Sequence, residues 1–114
     1  MYLDRADFEA LVEQALDEIP DEIAGLVQNV VVLVEDEPPP DQPDLLGVYV
    51  GVSLTERASS HTGLPDHITI FRNPLLEMCE DRAELVREVR ITVVHEVAHH
   101  FGIDDDRLHD LGYG

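Results

Sequence analysis

The sequence has one cysteine, two methionines and no tryptophan, and none of its apolar runs approaches the ~20 residues needed to cross a bilayer. Each shortage excludes something. With Cys79 alone no intrachain disulfide can form, and the first residues, MYLDRADFEA, have neither the basic start nor the apolar core of an export signal, so a cytoplasmic location is expected. A lone thiol of this kind is far more often a buried spectator than a nucleophile. Positive charge is scarce as well: 7 basic residues, all of them arginine, stand against 25 acidic ones for a formal net charge of −18. That balance repels phosphate backbones and anionic lipid surfaces at long range, so neither nucleic acid nor a membrane is an expected partner. A chain of 114 residues, 44% hydrophobic, supports one modest core and leaves no room for a two-domain cleft, which predicts a single domain over residues 1–114.

Within that frame the apolar spacing is informative. Phe8, Leu11, Val12, Ala15, Leu16 and Ile19 recur at three- and four-residue intervals between Asp4, a capping residue, and Pro20, which stops a helix. Glu9, Glu13, Asp17 and Glu18 form its solvated face. A short turn or helix at Asp21–Leu26 leads to Val30–Val34, a β-branched run predicted to be a strand buried on both faces. Residues 35–44, EDEPPPDQPD, carry five acidic residues and four prolines and read as an exposed, extended connector. Strands follow at Leu45–Val52, where Gly47 and Gly51 mark bulges or edge positions, and at Ile68–Arg72, closed by Asn73-Pro74. Ser53–His67 reads as a long loop and as the wall of a substrate site, with His61 and His67 mostly solvated. From Asp81 the pattern is helical again, with Leu85, Val86, Val89, Val93, Val97 and Phe101 as its apolar stripe and Gly102 as its stop; Arg107–Leu111 forms a last turn or two.

The chemistry lies at the end of that helix, in HEVAHHFGIDDDRLHDLG over residues 95–112. His95 and His99 are four residues apart, so both rings sit on one helix face and reach one metal ion, with Glu96 beside the position left for water. Catalytic zinc takes three protein ligands. Gly102 allows a left-handed turn, and Asp105, six residues beyond His99, returns as the third donor. His109 and Asp110 are alternatives if the last turn folds back. His100, about 100° around the helix from His99, packs or hydrogen-bonds instead. Two imidazoles and a carboxylate favour Zn2+, although iron and manganese accept the same set.

The pattern HExxHxxGxxD, with the following RLHDLG, resembles the signature of the small bacterial zincin-like metallopeptidase family. LVQNVVVLVEDEPPP, LLGVYVGVSLTER, LPDHITIFRNPL and EVRITVVHEVAHHFGI resemble that family's recurrent stretches in the same order. The resemblance implies His95, His99 and Asp105 as metal ligands and Glu96 as general base. It also implies an α+β single domain in which a short sheet packs beside an N-terminal helix and a long active-site helix. The chain departs from the wider metzincin pattern: Asp105 replaces a third histidine, and both methionines, Met1 and Met78, precede the motif, so no methionine turn follows it.

The reading is therefore a zinc-dependent metallopeptidase acting on a peptide or protein substrate, in which Glu96 activates water. Tyr49 and Arg57 are candidate donors to the oxyanion of a tetrahedral intermediate. Two alternatives stand beside it: a metal-binding module without peptidase activity, and a hydrolase of a small non-peptide amide.

Overall fold

The computed structural model describes residues 1–27, 30–51 and 66–113. Helix α1 (Arg5–Asp17) begins where the Asp4 side chain accepts a hydrogen bond from the Asp7 amide at 2.8 Å, satisfying one of the free donors of the first turn. Pro20 opens α2 (Asp21–Ala24), which runs into a 3-10 turn at Gly25–Val27.

Three strands follow: β1 (Val30–Glu35), β2 (Gly47–Val50) and β3 (Asp66–Phe71). Their order in space is β1-β3-β2, with β1 parallel and β2 antiparallel to β3. Val32 and Tyr49 both stand opposite Ile68, so alternate residues of all three strands share a face. That face meets the helices, and Ile68 and Ile70 at its centre are wholly enclosed. The other face is exposed along β1, where Val31 and Leu33 are 42% and 43% exposed, while Thr69 and Phe71 of the central strand are buried. Burial of β1 on both faces, which its unbroken apolar run suggested, is thus corrected, because as an outer strand of the described sheet it packs Val30, Val32 and Val34 on the core and leaves Val31, Leu33 and Glu35 exposed.

Helix α3 (Arg72–Met78) starts directly from β3, with Pro74 in its first turn, where a missing N–H breaks no helical bond. The Asn73-Pro74 signal marks the end of β3 as read, and also conceals this helix. Helix α4 (Arg82–His100) is capped by Asp81, which accepts from the Glu84 amide at 2.8 Å. It ends at Gly102, whose φ of +74° turns the chain so that the Ile103 amide reaches the Ala98 carbonyl at 2.8 Å. Phe101 falls on this cap and is 46% exposed, off the buried stripe on which its spacing placed it. Asp104 caps α5 (Asp105–Asp110) through the Arg107 amide at 2.8 Å.

One core joins these parts. Phe8, Leu11 and Ala15 of α1, Ile23 of α2, Ile68 and Ile70 of β3, and Leu85, Val89, Val93 and Val97 of α4 are almost completely enclosed, each of the larger side chains contributing roughly 1.5–3 kcal/mol by its removal from water. The acidic connector is pinned at its start, where Arg72 and Arg5 converge on Asp36 at 2.9 and 3.4 Å. No helix among the described residues is long and apolar enough to cross a membrane.

Candidate functional site

Helix α4 presents His95, Glu96 and His99 on its last two turns, into a depression that the lead-in to β2 closes on the opposite side with Leu45, Leu46 and Gly47. The His95 and His99 ring centroids are 6.0 Å apart, with planes at 80°. Metal–imidazole bonds are about 2.0–2.1 Å long, so rings at this separation suit a single divalent ion between them. His95 and Glu96 are half-buried and His99 is exposed. Burial raises the Glu96 carboxyl above its ordinary range, against the opposing influence of His99 and His95. A carboxylate that holds its proton more tightly than usual is the stronger base.

Two glycines bring β2 this close to the helix. A Cβ at Gly47 would stand 2.7 Å from Thr92 Cγ2, and one at Gly51 would stand 3.0 Å from His100 Cε1. Four residues of strand span about 13 Å and eight residues of helix about 12 Å. The two elements therefore run side by side, touching at Gly47 against Thr92 and again at Gly51 against His100. Between those contacts the Tyr49 ring stacks on His100, centroids 3.8 Å apart, and its hydroxyl donates to Asp66 Oδ2 at 2.7 Å. His100 Nε2 lies 3.9 Å from the same carboxylate. His100 thus packs on its own flank of α4, as its angle around the helix predicts. Tyr49 is a strand residue whose ring lies on His100 and whose hydroxyl is engaged at Asp66. Arg57 and His61 lie outside the described residues, as does the anticipated loop except for Asp66 and His67, and His67 is a half-buried strand residue.

Asp105 is the first residue of α5 and is exposed, following the left-handed turn at Gly102 that the sequence required. Among the described residues no group of three or more His, Cys, Asp or Glu stands close enough together to hold a metal ion. The imidazole pair fits a zinc-type ion in spacing and donor type, while Asp105 does not join it in this conformation. A different group meets His95: the Tyr113 carbonyl, which accepts from His95 Nε2 at 2.7 Å. The sequence reading missed this contact. Its one visible signal is Gly112, a second stop glycine after a short helix.

A family model described as zincin-like metallopeptidase matches residues 27–114. Among solved structures, a conserved hypothetical protein from Thermo thermophilus is similar at 27% identity and a TM-score of 0.58, over 87% of this chain and 94% of that one. A comparison with curated proteins finds no match.

Proposed function

Because the chain belongs to the zincin-like metallopeptidase family, we propose that it is a metal-dependent peptidase in which His95 and His99 anchor the ion, Asp105 completes the donor set and Glu96 is the general base. The observation that carries this reading is the opening of His95, Glu96 and His99 into one depression beside β2, an edge strand among the described residues. Zinc is the ion favoured by two imidazoles and a carboxylate; when bound, it would polarise the scissile carbonyl and acidify water. Glu96, its proton affinity raised by burial, takes the proton of the attacking water and returns it to the leaving nitrogen. An extended peptide would lie along β2, which among the described residues is the sheet edge opposite β1, with its scissile bond brought to the end of α4. Arg57, on the segment that follows this strand, remains the candidate oxyanion donor.

Glu96→Gln tests the assignment directly. The variant is expected to bind one zinc per chain as the parent does and to lose at least ~10²-fold in turnover, read by mass spectrometry on a broad peptide library. Unchanged turnover refutes the role of Glu96. One bound zinc with no cleavage by the parent supports the metal-binding module, and cleavage confined to small amides supports the amide hydrolase.

A further inference from the structure

The contact between Tyr113 and His95 is built, and its construction is legible. Helix α5 closes with Gly112 at a φ of +89°, with the Gly112 amide on the His109 carbonyl at 2.9 Å and the Tyr113 amide on the Leu108 carbonyl at 2.7 Å. That pair of bonds reverses the chain at a helix end. The reversal turns residue 113 back toward α4, where the Tyr113 ring lies 6.0 Å from the Arg90 guanidinium and packs against the core. The Tyr113 carbonyl then accepts from His95 Nε2.

A carbonyl can only accept, so the neutral ring must carry its proton on Nε2. A protonated ring nitrogen has no lone pair for a metal. Nε2 is also the tip nitrogen, the one by which two side chains a helical turn apart most readily share an ion; Nδ1 lies next to the ring's attachment to its own helix. The same short helix starts with Asp105, which stands clear of the histidines. Its middle is fixed, since Leu108 is wholly buried and Arg107 pairs with Glu22. The contact with His95 is made by the residues that follow this anchored middle, Leu111–Tyr113.

We infer that Leu111–Tyr113 is a latch that holds the site in a metal-excluding state, and that an ion is taken up only when the Tyr113 carbonyl leaves His95. The inference rests on the metal-binding reading above. On release the proton moves from Nε2 to Nδ1 through solvent, so the ring stays neutral and Nε2 gains its lone pair. No net proton is gained or lost at His95.

The test is zinc titration, by competition with a chromophoric chelator, of the full chain and of Gly112→Pro, which cannot adopt a positive φ and has no amide to donate. A neutral hydrogen bond is equivalent to a factor of roughly two to ten in an equilibrium, so the variant is expected to bind zinc tighter by that factor. A second measurement needs no variant: long-range 1H–15N correlation of the His95 ring should show the Nε2–H tautomer without zinc and Nδ1–H with it. Equal affinities, or a zinc-loaded parent that keeps Nε2–H, overturn the latch and leave the metal site standing. If neither protein binds zinc, the latch and the metal site fall together.

Discussion

The two faces of α4 make the informative comparison. Leu85, Val89 and Val93 lie on a stripe that continues through Val97 and Ala98 and is enclosed by α1, α2 and the sheet, whereas on the opposite side of the last two turns His95 and Glu96 are half-buried and His99 and His100 exposed. One continuous helix is therefore a foundation on one face and a working surface on the other. The lesson is that side chains needing access to solvent and substrate can still be held in fixed geometry, because the same helical turns are anchored by their buried stripe.

Substitutions can separate the two faces or show that they are inseparable. The largest effect is expected in the foundation: Leu85→Ala should cost about 2–5 kcal/mol of stability in urea denaturation, while zinc affinity of the molecules that remain folded stays unchanged. A fall in that affinity would show that packing reaches the site. Gly47→Ala acts at the junction, since its methyl group would press on Thr92 Cγ2 at 2.7 Å and on the Thr69 carbonyl at 3.1 Å. Overpacking of this kind costs about 1–3 kcal/mol, and here it should lower peptide turnover as well, because β2 is displaced from the depression. Turnover unaffected by a destabilising Gly47→Ala would remove β2 from the working surface.

The smallest expected effect is chemical silence in the buried part. Burial, and then Glu84 and Glu88, push the Cys79 thiol up to about 11. At pH 8 only about one molecule in a thousand carries the thiolate, so iodoacetamide should label the native protein negligibly and the urea-unfolded protein readily. The raised value has a consequence for stability. Deprotonation is easier in the unfolded chain, so this contribution is complete below the ordinary thiol range and is lost as pH rises toward 11. Rapid native labelling at pH 8 would move Cys79 out of the core.

The foundation was easier to read than the surface. Periodicity located α1 and α4 almost to the residue because both bury one stripe, and Asp4 and Asp81 cap them where short polar residues precede an apolar rhythm. Gly102 adopts the positive φ inferred from its place after the motif. Local pattern was silent on pairing: nothing in VVVLV specifies a parallel neighbour or says which side helices will cover. Helix α3 was hidden because Pro74 signals a break and is equally at home in a first turn. At the site, the spacing of His95, Glu96 and His99 set their common face. The engagement of Tyr49 with Asp66 and of Tyr113 with His95 depends on contacts across the fold, at separations of 17 and 18 residues, which no motif encodes.

The position of the imidazoles along α4 has one more consequence. His99 and His100 stand in the final turn of a helix of 19 residues, where aligned peptide dipoles leave a partial negative charge of roughly half a unit. A cation beside that terminus is attracted by the main chain itself, in addition to any donor atom. This pull is built into the polypeptide's direction: exchanging side chains leaves it in place, and a histidine pair at the opposite terminus would feel it reversed.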